Sequence, residues 1–535
     1  VIVSDRITPR DAITNWQVAR IERVPLAVVL DQFKAKQIDA IYDQLTENDR
    51  TLLQTPYFLN YALEHNTAPL SSAAEAIAAF FETLGKEQGF ADDALDLMAK
   101  AAFDAYKKHR SFKFDVRPFA QAIGQPMFDK LEHEGVIIRL PAEANPPPDQ
   151  LPSELQAQFD HPLKHDYLAA RYLSQPNTEW TLDALDVVSF ESNSFDALAM
   201  TLELLPDEKQ CDKFIQRVHN WNWAAALVCI AKAMRTGSGR HSQEIQIAVL
   251  ALVAEKMFDP VQQTRKRANE VLSLFPPAIA TPYKDIRSLP ELYALVQQQA
   301  QSEAKYQDRE LWFSQWRDLF VRFDGPSFNE QDLKKIVDSQ CIIGWTAANV
   351  FRRFKLSDLD VRQLRAYYDA CAACHYSDWR ASTIRSRVVH ALGATDTAVA
   401  VDLLFEALSQ DHYLWARIGA ARSLVEIAAL TADAELRRTV IDTLIGRVTN
   451  TDDKTIALKT LHEIGQSAFY SDAQAGWQQA VTPLITCVRD RQSDPEKGWW
   501  SSLLGDFEKF SQEQALLAAG VVGADPASTT KLQAQ

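Results

Sequence analysis

Apolar residues recur at helical spacing along most of the chain. Long stretches place them at positions i, i+3, i+4 and i+7, whereas alternation of apolar and polar residues, which is typical of strands, is rare. Only 17 of the 535 residues are glycine. The pattern predicts a mostly α protein, with strands at two places. These are "VIV" (Val1–Val3), and "GVIIRL" (Gly135–Leu140) paired with "LQAQFDH" (Leu155–His161).

The segment before the second strand pair predicts a winged helix. Helices are expected near Arg117–Gly124 and Pro126–Glu134, and the loop between the two strands, Pro141–Glu154, contains five prolines. Proline removes a backbone donor and disfavours regular structure, so this loop is expected to be an exposed wing. The segment "KLEHEG" is not basic where a recognition helix would lie, which argues against DNA binding by this unit.

A basic residue followed seven positions later by leucine recurs in the second half of the chain. It occurs in "RKRANEVL" (Arg265–Leu272), "RSRVVHAL" (Arg385–Leu392), "RIGAARSL" (Arg417–Leu424) and "KTIALKTL" (Lys454–Leu461). The last three copies start 32 and 37 residues apart. Any amphipathic helix can give one such match, but several at periods in the thirties are typical of stacked helix pairs. The pattern predicts a HEAT-like α-solenoid.

The concave face of such a solenoid would offer a broad contact surface for a protein partner. Tryptophan is a frequent anchor at such surfaces, although the helical core is the better interpretation for most tryptophans of this region. The candidates are Trp221, Trp223, Trp312, Trp316, Trp345, Trp379 and Trp415.

Length and charge narrow the function classes. At about 150 residues per domain, the chain has room for three or so units, and no run approaches the ~20 apolar residues of a membrane span. The net charge of -15 and the isoelectric point near 5.3 argue against a nucleic-acid partner, which would need clustered Lys and Arg.

The start of the chain lacks the features of a secretory signal, and six cysteines are too few for a disulfide scaffold. We therefore expect a cytoplasmic protein without a membrane segment.

The motif "CAACH" (Cys371–His375) has the spacing of a covalent haem attachment site. On a helix, Cys371, Cys374 and His375 would share one face and could bind a metal. Covalent haem requires export, and a structural zinc site needs one more ligand than the motif supplies. Small residues packed against a neighbouring helix are the simpler interpretation.

Three segments, in this order along the chain, carry a family resemblance. "VIVSDRI" ends a strand in polar residues that include Arg6, and "TPYFL" contains Pro56. A further segment, "LAVVLD" (Leu26–Asp31), is only superficially similar to an acidic strand and is not one of the three, because it follows "VIVSDRI" where such a strand should precede it. "FDHPLKHDYLAARYL" places His161 before a helix with a Tyr-x-Ala-Ala pattern. Together they resemble the second half of a NACHT module, which belongs to the STAND class of signalling nucleotide switches.

The resemblance implies a role for three residues. Arg6 would be a sensor near the γ-phosphate, Pro56 would pack on adenine, and His161 would hold the β-phosphate of ADP and lock the closed state. It also implies ADP or ATP with magnesium as cofactor in a longer protein. This chain lacks a P-loop, because "LGKEQG" (Leu84–Gly89) has neither the glycine cradle nor the following hydroxyl. We expect no nucleotide on this chain alone and no hydrolysis by it, and because it starts at Val1 without methionine, we expect an upstream portion.

The physical chemistry of a helix start agrees with this role for His161. A helix N-terminus presents unpaired N–H groups and about half a positive charge, which suit an anion. Pro162 costs no hydrogen bond at the first helical position. The alternative is that His161 only joins a strand to a helix. His165, one turn later and next to Lys164, is expected at the surface.

The helical patterns, together with the resemblance, which covers roughly residues 1–175, predict a mostly α architecture of five parts. They are the end of an NTPase core (1–15), a small helical domain (16–68), a winged-helix domain (69–178), a HEAT-like α-solenoid (179–520) and a loose tail (521–535). The implied function is the regulatory and trigger-sensing part of a defence or innate-immune switch. A protein trigger would bind the solenoid, release the ADP-locked state and permit self-association through the NTPase region. The alternative is a non-enzymatic helical-repeat scaffold for protein partners.

Overall fold

The structure is a computed structural model. It describes residues 24–37, 72–140, 156–176, 195–288 and 342–450 apart from short gaps, with scattered positions between these ranges. The chain divides into two compact units, Val1–Val249 and Leu250–Gln535. The described part is mostly helical, as the sequence predicted, with one small sheet. No helix in this part combines the length and the apolar character needed to cross a bilayer.

The first unit begins with α1 (Leu26–Ala35). This helix contains the segment "LAVVLD", so the likeness of that segment to an acidic strand has no structural counterpart. A small apolar cluster includes the two buried residues of α1 and residues that follow it. Its buried members are Val29, Phe33, Tyr42, Leu53, Leu59, Ala62 and Leu63. The predicted strand at Val1–Val3 lies outside the described residues.

The sheet of the first unit has three short antiparallel strands in the order β1-β3-β2. Helices α2 (Ala73–Gln88) and α3 (Ala94–His109) precede it. The remaining elements are β1 (Lys113–Asp115), α4 (Val116–Ile123), α5 (Gln125–His133), β2 (Ile137–Arg139), β3 (Gln156–Phe159) and α6 (Pro162–Leu173). The predicted helices and the second strand pair are thus confirmed within a few residues. β1, which sequence reasoning missed, pairs with β3 in a register that sets Phe114 opposite Ala157.

Two glycines allow the sharp turns between these elements. Gly89 ends α2 in the left-handed conformation, with φ of 63°. Gly124, with φ of 88°, is the single residue between α4 and α5, and it lets the chain change direction there. A Cβ atom strains a residue at such positive φ values, which explains glycine at both positions.

Helix α6 lies at the centre of this unit. It packs against α2, α3, β3 and α7 (Phe195–Leu204). Because neighbours surround it, its polar residues are buried together with its apolar ones. The buried residues are Leu163, Lys164, His165, Asp166, Tyr167, Leu168, Ala169, Ala170 and Leu173. The chain continues through α8 (Glu208–Trp221), α9 (Trp223–Thr236) and α10 (Gln243–Glu255).

The later helices of the second unit pack on one another. Before them come α11 (Gln262–Leu272) and α12 (Pro277–Lys284). The stacked helices are α13 (Ile342–Phe351), α14 (Asp358–Ala372), α15 (Trp379–Ala391), α16 (Ala398–Gln410), α17 (Leu414–Leu430) and α18 (Ala434–Asn450). Helix α15 packs on α13 and α17, while α14 packs on α16. Helices of alternate number therefore contact each other, which agrees with a solenoid-like fold.

An arginine links successive helices at equivalent places. Arg417, the fourth residue of α17, donates through Nε to the carbonyl of Leu408 at 3.1 Å, and Arg437, the fourth residue of α18, does the same to Ala428 at 3.1 Å. Each guanidinium thus satisfies a carbonyl near the end of the preceding helix, where the helix dipole is negative. Arg385, which the sequence motif matched with Arg417, is instead the seventh residue of α15 and has other partners.

Three of the candidate tryptophan anchors are core residues. Trp221, Trp345 and Trp415 are 7%, 4% and 7% exposed, so they pack within the helices and do not present a contact surface. Trp312 and Trp316, and the side chain of Trp379, lie outside what the structure describes, as does the fourth motif copy at Lys454.

Candidate functional site

His161 lies at the N-cap of α6, directly after β3. Its backbone is extended, with φ of -134° and ψ of 132°, and its ring Nδ1 accepts the N–H of Leu163 at 3.2 Å. An acceptor at Nδ1 requires that the neutral ring carries its proton on Nε2. The histidine is therefore the capping residue of this helix, and its second nitrogen is a hydrogen-bond donor.

The other N–H groups at this helix start have partners within the chain. The N–H of Lys164 donates to the carbonyl of His161 at 3.0 Å, and Pro162 has no N–H. The N–H of His161 itself donates to the Asp160 carboxylate at 3.0 Å. The turn thus satisfies its own donors, and an anion would interact with the helix dipole and with the ring of His161.

Lys164 and Asp160 place opposite charges beside His161. The ammonium of Lys164 lies 2.8 Å from the Asp160 carboxylate and 3.7 Å from the centre of the Phe80 ring. The lysine side chain is 4% exposed, and burial lowers its pKa although Asp160 acts in the opposite direction. Asp160 therefore stabilises a buried cation, and it also adds negative charge at the position that a phosphate would approach.

Of the three predicted site residues, the structure describes only His161. Arg6 and Pro56 lie outside the described residues, so their positions relative to His161 stay a prediction. The structure agrees with the sequence prediction for His161 in one respect, which is that this residue occupies the start of α6.

His165 is in the core, and the prediction that it lies at the surface is wrong. It is 0% exposed. Its Nε2 lies 2.8 Å from the carbonyl of Ala102 and its Nδ1 3.3 Å from the carbonyl of Phe112. The expectation treated the polar stretch of α6 as a solvated face, but α3 and the start of β1 cover it.

Aromatic rings surround His165, and a second polar pair lies beside it. The ring centres of Tyr106, Phe112, Phe114 and Phe159 lie between 4.1 and 6.3 Å from that of His165. Tyr106 also donates its hydroxyl to the buried Asp166 carboxylate at 2.6 Å. One sequence signal could have indicated this buried polar cluster. Three consecutive polar residues, Lys164, His165 and Asp166, lie inside one helix, and aromatic residues are frequent in the segments around it.

The "CAACH" motif does not form the single helical face that would have bound a metal. Helix α14 ends at Ala372, between the two cysteines, and His375 lies outside the described residues. Across the described part of the chain, no group of three or more His, Cys, Asp or Glu residues is arranged to hold a metal ion.

Comparison with known proteins does not assign a family. No protein-family model matches the chain, and neither a curated protein nor a solved structure matches it significantly.

The capping role of His161 gives a testable expectation. Replacing His161 with alanine removes the acceptor for the Leu163 N–H and should lower the free energy of unfolding of the first unit by about 0.5–2 kcal/mol. His161→Asn supplies a side-chain oxygen at the same place and should restore most of the loss. Urea unfolding of the wild type, His161→Ala and His161→Asn measures the change in stability. Hydrogen exchange of the α6 amides in the same three proteins is the second measurement. Equal losses in both variants would show that the ring stabilises the helix by packing and not by capping.

Proposed function

We propose that the chain is the regulatory and trigger-sensing part of a NACHT-type STAND nucleotide switch. The observation that carries the proposal is the placement of His161 at the N-cap of α6, immediately after β3. A histidine, a helix start and a preceding strand are the arrangement that the resemblance implies for the contact with the β-phosphate of ADP.

The topology around His161 supports the same proposal. A helix, a strand, two short helices and two further strands precede α6, with β3 between β1 and β2. This order is compatible with a winged helix, and it places α6 directly after β3, the central strand of the sheet. The stacked helices of the second unit supply the kind of surface on which a protein trigger would bind.

His161 can serve a nucleotide and the helix at the same time. Its Nδ1 accepts the Leu163 N–H as the cap of α6, and a neutral ring of this tautomer carries an N–H at Nε2, which is the type of donor that bonds to a phosphate oxygen. The positive end of the helix dipole adds attraction for the anion. Arg6 would contribute a second positive group and Pro56 an apolar surface for adenine, while magnesium would accompany ATP. A partner that prefers the open state would weaken ADP binding by the same factor by which ADP weakens partner binding.

The alternative function is a non-enzymatic scaffold for protein partners. The observation that favours it is the internal satisfaction of the α6 start, where Asp160, His161 and Lys164 bond with one another. In this alternative, the cap is purely structural, and the helical repeat alone carries the function.

Nucleotide binding separates the two functions. The experiment titrates ADP into the natural protein, with any chain that precedes Val1, by isothermal calorimetry. His161→Asp keeps a good N-cap but sets a second carboxylate against the phosphate. We expect a 10-fold to 100-fold loss of ADP affinity, because a charge-assisted hydrogen bond contributes about 1.5–3 kcal/mol.

The matched control is the stability of the same variant. His161→Asp should unfold at nearly the wild-type urea concentration, so that a lost affinity reports on the phosphate contact and not on the fold. Absence of ADP binding to the wild-type protein, or equal affinity in the variant, would favour the scaffold. His161→Leu should also raise self-association without a trigger, which light scattering measures.

A further inference from the structure

Cys371 and Cys374 lie in one tight turn at the end of α14. The N–H of Cys374 donates to the carbonyl of Cys371 at 3.2 Å, and Ala373 between them is the helix C-cap. Residues i and i+3 of such a turn have Cα atoms closer than about 7 Å. Disulfides span Cα separations of about 4.4–6.8 Å, so the backbone already sets the two cysteines at bridging distance.

The two thiols of this turn are accessible, unlike the other described cysteines. Cys374 is exposed and Cys371 is partly exposed, and both are present as thiols. Cys211 and Cys229 are buried, and burial raises the pKa of each to about 12. Since the thiolate is the nucleophile, the buried pair is unreactive near neutral pH. Among the four cysteines that the structure describes, reaction with a soluble reagent is therefore directed to the turn.

A buried arginine holds the turn in place. Arg385 on α15 donates through Nη1 to the carbonyl of Cys371 at 3.0 Å, and its Nε lies 2.9 Å from the Asp411 carboxylate. The turn is thereby tied to the neighbouring helix, and a guanidinium lies against the backbone of Cys371.

We propose that Cys371 and Cys374 are a reversible dithiol–disulfide pair that reacts with low-molecular-weight disulfides such as oxidised glutathione. The thiolate of Cys374 attacks one sulfur of the reagent and expels one glutathione thiolate, which leaves a mixed disulfide. The thiolate of Cys371 then attacks the sulfur of Cys374, forms the internal disulfide and expels the second glutathione thiolate. Two electrons pass to the reagent, and the two thiol protons end on the two glutathione molecules.

This site is independent of the nucleotide role proposed for His161. It places a modification on the stacked helices, at the point where α14 meets α15, and the pair resembles a metal site only in spacing. Two thiolates fall short of the four ligands of a structural zinc site, and disulfide exchange needs no further ligand.

The test treats the native protein with oxidised glutathione, blocks remaining thiols, digests with trypsin and weighs the peptide Ala366–Arg380, which contains both cysteines. We expect most of this peptide to lose the mass of two hydrogen atoms and to regain it with a reductant. Cys371→Ser removes the thiol that closes the ring, so glutathione should remain on Cys374. Cys374→Ser should react more slowly, because Cys371 is less exposed.

Three results would overturn the proposal. The first is a wild-type peptide that stays reduced under conditions in which Cys371→Ser takes up glutathione, since the pair then does not close. The second is a lack of reaction in both proteins while helicity is retained in circular dichroism. The third is preferential oxidation of Cys211 or Cys229, or a bridge from this peptide to another cysteine.

Discussion

Replacing Asp411 with alanine is expected to lower the free energy of unfolding of the second unit by about 3–5 kcal/mol, because it leaves a buried guanidinium without its counter-charge. The Asp411 side chain is 1% exposed and that of Arg385 5%. The carboxylate also accepts the hydroxyl of Tyr368 at 2.7 Å and the N–H of Tyr413 at 2.8 Å. One residue therefore joins α14, α15 and the start of α17.

Hydrogen exchange of the α14, α15 and α17 amides measures this effect, together with urea unfolding. The matched control is Asp369→Ala, which removes an exposed partner of Arg365 on α14. An exposed pair contributes about 0–1 kcal/mol, so this variant should behave nearly as wild type. A loss of similar size in the two variants would mean that the buried pair is not the connection that holds these helices together.

The second large effect is expected from His165→Ala, which should lower the free energy of unfolding of the first unit by about 3–5 kcal/mol. The change opens a cavity among four aromatic rings and removes a buried ring that contacts the carbonyls of Ala102 and Phe112 and, when neutral, donates to one of them. Cavity formation and an unsatisfied buried group each cost a few kcal/mol, and partial relaxation reduces their sum.

His133→Ala is the control for His165→Ala. His133 is an exposed residue of α5, and a surface substitution of this kind changes stability by about 0.5 kcal/mol or less. Thermal and urea unfolding compare the two variants with wild type. If His165→Ala unfolds like His133→Ala, the histidine contributes no core contact, and the surface location expected from sequence would be the better description.

Local sequence signals predicted the elements near the candidate site but not its contacts. Pro162 marks the start of α6, so the position of His161 at the N-cap followed from sequence. The pairing of Asp160 with Lys164 has the i, i+4 spacing of a helix start. The hydrogen bond from Leu163 to the ring of His161, which sets the donor nitrogen, follows only from the folded backbone.

β1 and the repeated arginines show why other features were missed. A strand of three residues, Lys113–Asp115, is too short to show alternation, and it exists because β3 offers it backbone partners. The motif of basic residue and leucine matched Arg385 with Arg417. Their partners differ, because a linear pattern does not fix which helix each guanidinium reaches.

The sequence by itself determined the helical character of this protein, the bounds of α4, α5, β2 and β3 to within a few residues, and the location of His161 at a helix start. These properties depend on residues close in the chain, through periodicity, proline and turn chemistry. Only the tertiary structure decided that His165 is enclosed, that Asp411 joins three helices, and that Cys371 is tied to α15 by Arg385. Burial and pairing depend on which surfaces meet, and residues far apart in the chain supply those surfaces. For α6, these surfaces come from α3 and β1.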